Sequence, residues 1–256
     1  MSGATPADVE PVERMRVQHQ RQRRLGAIVG PLWIPIVVFG LRWGLGYRVA
    51  DVARIRAEYA RIRAESSAPL LICANHLTLI DSMIVALALA PCWRYVLDFD
   101  ALPWNTPEET NFANTLLNRV LVYFAKCIPI RRGGNRQDVA EVLERISYLL
   151  GRGETALLFP EGGRSRSGRV EPGGAAWGVG RIVASVPGCR VLCVYMRGDA
   201  QATWSDYPAR GDVARVSLSL IEPKSDARGV RRTRDLAEQI VSRLSGMEEQ
   251  YFHARQ

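Results

Sequence analysis

The chain has 256 residues, of which 47% are hydrophobic, and a formal net charge of +8 that comes almost entirely from arginine. This length and apolar content predict one domain with a substantial core and an appended segment. The charge indicates an anionic partner, and composition does not distinguish phospholipid headgroups, a phosphorylated substrate and nucleic acid.

Cysteine and histidine usage argues against two kinds of site. The five cysteines are odd in number and form no Cys-x-x-Cys pair. They predict buried free thiols in a reducing compartment and not a disulfide framework. The three histidines are scattered along the chain, so no zinc or other metal site is expected.

The N-terminal quarter of the chain indicates membrane association. Residues 1–24 are polar and are expected to form a flexible arm or a surface helix. Residues 25–41 are uncharged, and seventeen such residues are the lower limit for crossing a bilayer of ~30 Å. Pro31 and Pro35 are expected to kink this run. We therefore predict a membrane-associating helical segment over residues 25–66, with a re-entrant or half-buried anchor preferred over a single span.

Residues 51–65 predict an amphipathic helix, because apolar positions recur at helical spacing with arginines between them. These positions are Val52, Ile55, Tyr59 and Ile62. Such a face usually packs on its own domain, and docking on a membrane surface is the alternative.

Strands and helices alternate along residues 67–256, which are expected to form one folded domain. We predict the α/β class, a single-domain sandwich in which helices flank a mixed, largely parallel central sheet. Strands are predicted at residues 70–74, 94–97, 126–130, 155–159, 190–196 and 213–221. Helices are predicted at residues 81–90, 111–124, 138–150, 173–186 and 231–252.

A histidine stands at the carboxyl end of the first predicted core strand. The apolar run over residues 70–74 stops at Asn75-His76, and open α/β sheets bind ligands at this end of their strands. Asp81 follows as the next helix begins, so its carboxylate can fold back onto the imidazole. The other ring nitrogen is then free to take a proton from a substrate hydroxyl. A capping box between Thr78 and Asp81, beside a structural histidine, is the alternative.

A second polar cluster follows the buried strand predicted at residues 155–159. Glu161 and Arg164 flank Gly162 and Gly163 there. Glycines let backbone N–H groups approach an anion, and the arginine fork suits phosphate. A solvated loop is the alternative for such a turn, but two strand-terminal clusters in one chain favour a site.

Three ordered blocks of sequence resemble one known family. They are Asn75-His76 with Asp81, Ile128-Pro129-Ile130-Arg131-Arg132, and Phe159-Pro160-Glu161-Gly162-Gly163-Arg164-Ser165. Together they are similar to the motifs of the 1-acylglycerol-3-phosphate acyltransferase (glycerolipid acyltransferase) family, over roughly residues 70–197. The chain departs from the family's pattern at Gly163, where threonine is usual, and at Cys193, where proline is usual. Two lysine-containing elements of the pattern are also missing from the sequence.

The resemblance implies that residues 67–256 are an acyltransferase catalytic domain. The reaction would move a fatty acyl group from an acyl thioester, acyl-CoA or acyl-carrier protein, to a hydroxyl of a lysophospholipid-type acceptor, with no further cofactor. His76 is then the general base, and Asp81 orients it. The residues expected to bind substrate are Glu161, Gly162, Arg164 and Arg132. Backbone N–H groups near the Gly162-Gly163 turn are candidates for stabilising the oxyanion.

The expected partners are the lipid acceptor, the thioester donor and a membrane surface, at the cytoplasmic face of the membrane. Because the departures lie in acceptor-side elements, a non-phosphate lyso-lipid or another alcohol is an alternative acceptor. A non-catalytic protein that retains the fold and binds anionic lipid is a second alternative. Nucleic acid is not expected as a partner, because aromatic residues are not interleaved with the arginines.

Overall fold

A mixed six-stranded sheet lies at the centre of the molecule. The computed structural model of the chain describes residues 6–131 and 133–255, and of residues 6–11 the backbone alone. The strands are β1 (Arg48–Val49), β2 (Leu70–Ala74), β3 (Trp104–Asn105), β4 (Ala156–Leu158), β5 (Arg190–Gly198) and β6 (Val213–Ile221). Their order is β1-β6-β5-β2-β4-β3, and neighbours are parallel except β5 with β6. The predicted α/β class with a largely parallel sheet is confirmed.

Helices cover both faces of this sheet. They are α1 (Pro6–Phe39), α2 (Val52–Glu65), α3 (Asp81–Leu89), α4 (Cys92–Leu97), α5 (Glu109–Phe112), α6 (Leu116–Phe124), α7 (Arg136–Gly151), α8 (Trp177–Ser185) and α9 (Gly229–His253). A π-helical turn, Gly40–Gly44, extends α1, and a 3₁₀ turn, Phe99–Ala101, follows α4.

Strand β2 is the centre of the core. All of its residues are fully buried, and it pairs with β5 on one side and with β4 on the other. Successive side chains of a strand point to opposite faces. Leu71 and Cys73 therefore pack with α7, α8 and α9, while Leu70, Ile72 and Ala74 pack with α2 and α3. Burial on both faces explains why this strand is a continuous apolar run in the sequence.

Helix α2 packs on the domain through the face that the sequence predicts. Ile55, Tyr59 and Ile62 are buried between this helix, α3 and the sheet. The apolar face is used inside the domain, so the membrane-docking alternative for this helix is wrong.

Residues 1–24 were expected to form a flexible arm or a surface helix; residues 6–24 belong to helix α1, and residues 1–5 lie outside the described residues. Residues 6–24 are helical, and the side chains of His19 and Gln22 are buried against the domain. His19 Nε2 lies 3.0 Å from Glu154 Oε1, and the Gln22 amide donates to two backbone carbonyls at 2.8 Å. Composition marks these residues as polar but does not reveal that the domain holds buried partners for them.

Pro31 and Pro35 lie inside α1 and do not interrupt it. Both are exposed, whereas Gly30 and Ile34 on the opposite face are buried against the domain. Each proline removes one backbone hydrogen bond, and the packing of the opposite face offsets that cost. The kink expected at these prolines is therefore wrong, and the segment is helical with one face buried. The half-buried membrane anchor stays a prediction.

Three local predictions of secondary structure are corrected. Residues 94–97 belong to helix α4, and the strand at the edge of the sheet is β3. Residues 126–130 form only isolated bridges, to Asn105 and Glu108. Residues 111–124 divide between α5 and α6. For residues 94–97 the short apolar run fits a strand or a helix equally well, so periodicity alone could not decide.

Candidate active site

The turn that carries His76 is held from both sides. The buried side chain of Asn75 pairs with the backbone of Met196 on β5, through hydrogen bonds of 2.9 and 2.7 Å. The backbone amide of His76 donates to Glu161 Oε1 at 3.0 Å, and its carbonyl accepts from the amide of Ser165 at 2.9 Å. The sequence blocks that follow β2 and β4 are thus joined at the carboxyl edge of parallel strands.

Asp81 accepts four hydrogen bonds from the turn that precedes it, and it is only 1% exposed. His76 Nδ1 lies 2.9 Å from Asp81 Oδ2. The other donors are the amides of Leu77 and Thr78 and the Thr78 hydroxyl. The histidine–aspartate pair and the capping interaction therefore coexist in one carboxylate. Because the carboxylate faces Nδ1, the proton resides there and the Nε2 lone pair is free to accept another.

Phe159 stacks on the imidazole of His76, with ring centroids 4.0 Å apart and planes inclined by 15°. The histidine side chain is 12% exposed, so one ring edge stays accessible. In the sequence Phe159 ends the predicted strand and begins the third family block, but the pattern does not predict that it stacks on His76. Its place directly before Pro160-Glu161 was the signal that it faces the site.

Glu161 is an acid of raised pKa in the middle of the site. Burial raises its pKa to about 7, and the hydrogen bond from the His76 amide opposes this increase only in part. The charges of Glu248, Asp81 and Glu171 raise the pKa further. Near neutral pH the side chain therefore exchanges between a carboxylate that only accepts hydrogen bonds and an acid that also donates one.

Gly162 makes the turn after Glu161 possible. Its φ is +68°, a left-handed conformation that residues with a side chain rarely adopt. An added Cβ would also come within 3.1 Å of the Ala176 side chain. The Gly162 amide donates to the carbonyl of Phe159 at 3.0 Å. In this conformation the Gly162 amide is engaged in the turn and is not free to stabilise an oxyanion. The sequence had predicted amides near this turn as candidates for that role.

Arg164 faces the site but already has partners. Its Nη1 lies 2.7 Å from Asp206 Oδ1 and 3.1 Å from the carbonyl of Ser205. The guanidinium also packs over the Trp204 ring, 4.9 Å from its centroid. Because Asp206 is 63% exposed, solvent screens this ion pair, and a bound anion can compete for the arginine.

A cleft of ≈ 630 Å³ opens beside the accessible edge of His76. Its charged lining includes Arg164 and Arg166, and most of the remaining wall is apolar. The apolar wall comes largely from α1 and α6, through Val29, Trp33, Val37, Leu121, Val122 and Phe124. A smaller apolar pocket of ≈ 120 Å³, between α1 and α3, shares part of this wall. The combination suits a ligand with one long apolar group and a polar group near the histidine.

Helix α1 was not expected in the site, because the apolar run over residues 25–41 predicts an anchor alone. Trp33 and Val37 were hidden by the uniformly apolar composition of that run. Their spacing of four residues on one helix face was the signal available.

A family model described as Acyltransferase matches residues 54–197, which is more than half of the chain. The match includes all three sequence blocks, with His76 and Glu161. The chain belongs to the acyltransferase family. A comparison with curated proteins found no match.

Several residues that the sequence singled out meet in this acyltransferase at one edge of the sheet. They are His76, Asp81, Glu161 and Gly162, with Arg164 beside them in the cleft. Arg132 lies outside the described residues, and its predicted phosphate contact stays a prediction. Among the described residues, no group of three or more histidine, cysteine, aspartate or glutamate side chains could hold a metal ion.

A buried ion pair, which no sequence pattern predicts, positions the block of the acyltransferase that contains Glu161. Arg197 at the end of β5 lies 3.3 Å from Glu248 on α9, and both side chains are 3% exposed. Glu248 also accepts from the amide of Val170 at 3.0 Å, and Arg197 donates to the carbonyl of Gly168. The C-terminal helix thereby fixes the far end of the loop that begins at Glu161.

Proposed function

We propose that this acyltransferase moves a fatty acyl group from an acyl thioester, acyl-CoA or acyl-carrier protein, to a hydroxyl of a lysophospholipid-type acceptor. The observation that carries the proposal is the His76–Asp81 pair, which presents a free imidazole edge to a large apolar cleft. Transfer to a hydroxyl needs a base, and the cleft is large enough for part of an acyl chain.

In the proposed reaction His76 Nε2 takes the proton of the acceptor hydroxyl as its oxygen attacks the thioester carbonyl. The tetrahedral intermediate then collapses, the carbon–sulfur bond breaks, and the imidazolium returns the proton to the leaving thiolate. Asp81 stabilises the transient imidazolium and keeps the ring in its tautomer. No covalent enzyme intermediate forms, because the acceptor oxygen attacks the thioester directly. General-base action contributes ~10²–10⁴ to the rate of such a step.

The acceptor is proposed to bind between the two blocks. Glu161 holds a hydroxyl of the glycerol, and Gly162 gives the turn that brings it near the base. Arg164, with Arg132, binds a phosphate through charge-assisted hydrogen bonds. For this, a phosphate dianion has to displace Asp206 from Arg164, and the exposure of Asp206 makes the exchange feasible.

A second candidate acceptor is a non-phosphate lyso-lipid or another alcohol. The ion pair between Arg164 and Asp206 supports it, because this arginine is already neutralised. The glycine at position 163, where the related family has threonine, also favours a different acceptor.

We further propose that the protein acts at the cytoplasmic face of a membrane, with residues 67–256 as its catalytic domain. The stretch Val12–Gly44 is long and apolar enough to cross a membrane by length and composition, and its outer face suits association with lipid.

The proposal is tested by incubating the full-length protein with labelled acyl-CoA or acyl-carrier protein and matched acceptors with and without phosphate. Product lipids are read by mass spectrometry. Acylated lysophospholipid supports the first acceptor, and acylated neutral alcohol alone supports the second. If neither forms while the protein binds anionic vesicles, it is a lipid-binding protein that retains the fold without turnover.

A further inference from the structure

Helix α6 presents an apolar face that no other part of the described chain covers. Its residues Leu116, Leu117, Val120 and Leu121 are 78%, 67%, 43% and 57% exposed. These positions fall on one side of the helix, and none of the helix's nine residues is buried. Single exposed leucines are common on protein surfaces, but a contiguous apolar face on one short helix marks an interaction surface.

Helix α1 and its π-helical extension carry a second exposed apolar stripe. Ile28, Leu32, Ile36, Phe39 and Trp43 recur at spacings of three and four residues and are 63–71% exposed. The opposite side of α1 is buried in the domain. The stripe is therefore the outward half of an amphipathic helix.

These two faces flank the mouth of the cleft. Helices α1 and α6 pack against each other. The residues next to the exposed ones, such as Val29 and Trp33 on α1 and Val122 on α6, line the cleft wall. A lipid acyl chain that lies against either face therefore contacts residues directly adjacent in sequence to those that line the cleft.

Exposed arginines border the same surface. Arg21, Arg24 and Arg42 lie along α1 and its extension, Arg119 lies on α6, and Arg166 lies at the cleft. Basic residues around an apolar face match a bilayer surface with anionic headgroups, where each charge adds to the binding.

We propose that α6 and the outer stripe of α1 dock together on one leaflet of an anionic membrane, with α1 lying in the plane of that leaflet. The cleft mouth then opens toward the lipid. A spanning α1 does not fit this fold, because His19, Gln22 and Arg23 hold the helix to the domain through hydrogen bonds that a span would break. This docking surface rests on the proposed acyl transfer to a lipid acceptor. Membrane docking is measured without turnover, so docking and acyl transfer are tested separately.

Flotation of the full-length protein with vesicles of phosphatidylcholine and phosphatidylglycerol tests the proposal. Leu116→Asp/Leu117→Asp adds charge to the first turn of α6, where the helix dipole favours aspartate and the exposed positions leave the packing intact. We expect the vesicle affinity to fall at least tenfold. Val230→Asp is the matched control, because Val230 is 63% exposed in the first turn of α9, and it should bind like the wild type.

Hydrogen exchange of the unaltered protein gives an answer that does not depend on the folding of a variant. Amides of residues 116–124 should exchange more slowly when vesicles are present, and those of residues 230–238 should not change. Unchanged affinity of the double variant, or unchanged exchange in α6, would overturn the proposal. Loss of binding on substituting Ile28 and Leu32 alone, with no effect from α6, would also contradict it.

Discussion

The backbone amide of His76 donates a hydrogen bond to the side chain of Glu161, 3.0 Å away. One hydrogen bond therefore joins the proposed base, His76, to Glu161, an acid of raised pKa. The two residues lie in loops that follow different strands. The protonation of Glu161 bears directly on the turn that positions His76.

The pH dependence of stability reports on Glu161. Its pKa in the folded protein is about 7, because burial disfavours the carboxylate, and is lower in the unfolded chain. The folded state thus binds the proton more tightly, and this contribution to stability is complete below about pH 4.3 and lost as pH rises toward 7. Glu161→Gln removes the titration. We expect it to raise the free energy of unfolding at pH 8, relative to wild type, by on the order of 2 kcal/mol.

Denaturant unfolding of the two proteins between pH 4.5 and pH 8 measures this. The difference between their unfolding free energies should grow with pH, which separates Glu161 from the other titrating groups. A difference that is the same at every pH would show that Glu161 titrates normally in the fold.

Asp81→Asn should cost both activity and stability, because the carboxylate serves the imidazole and the turn at once. The side-chain amide introduced at position 81 places an N–H donor opposite the donors that the Asp81 carboxylate accepts from. Each buried group left unsatisfied costs ~1–3 kcal/mol. Activity should fall at least about 100-fold, since the imidazole loses its anionic partner. Thr78→Val removes one donor and leaves the carboxylate, so it should lower the melting temperature with a much smaller loss of activity. Equal activity losses in both variants would contradict the proposed role of Asp81.

The parts of the site that could be predicted are those in which local sequence dictates geometry. The apolar run Leu70–Ala74 predicts a fully buried strand. The spacing of His76 and Asp81 predicts that the carboxylate contacts the imidazole across one turn. Helix α1 could not be placed, because its apolar run fits an anchor as well as a cleft wall. The partner of His19, Glu154, lies 135 positions away in sequence, and no local pattern reveals such a contact.

The docking of α1 should depend on Glu154. Burial acts to raise the pKa of this carboxyl, but hydrogen bonds from His19 and Trp104 hold it at about 2. The lowered pKa contributes stability above about pH 4.5 that is lost as pH falls toward 2. Glu154→Gln should lower the free energy of unfolding at pH 7 by on the order of 2 kcal/mol, and the difference from wild type should shrink in acid.

The control for this variant is Glu65→Gln, which removes an exposed helical ion pair and should cost less than about 0.5 kcal/mol. Equal effects of the two substitutions on the unfolding free energy would mean that the buried pairing does not hold α1. A point substitution is preferable to deleting residues 1–47, since deletion would expose the cores to which Ile34 and Leu41 belong.

Because Arg164 and Asp206 form an ion pair, substitutions of these two residues should change the KM of a phosphate-bearing acceptor in opposite directions. Arg164→Ala should raise the KM of a phosphate-bearing acceptor at least about tenfold, because a bidentate charged contact is lost, and should change the KM of the thioester little. Arg164→Lys should restore part of the loss, since it keeps the charge without the fork. Asp206→Asn should lower the acceptor's KM. Steady-state kinetics with both acceptor types decide this, and an unchanged KM in Arg164→Ala would remove the phosphate assignment.

Single-turnover acyl transfer by His76→Ala is the most direct test of the proposed general base. If His76 is the general base, the rate of the chemical step falls by ~10²–10⁴, the melting temperature stays near that of the wild type, and binding of the thioester is retained. His253→Ala, at an exposed histidine of the C-terminal helix, should react like the wild type. Transfer by folded His76→Ala at a rate close to that of the wild type would contradict the claim that His76 is the base.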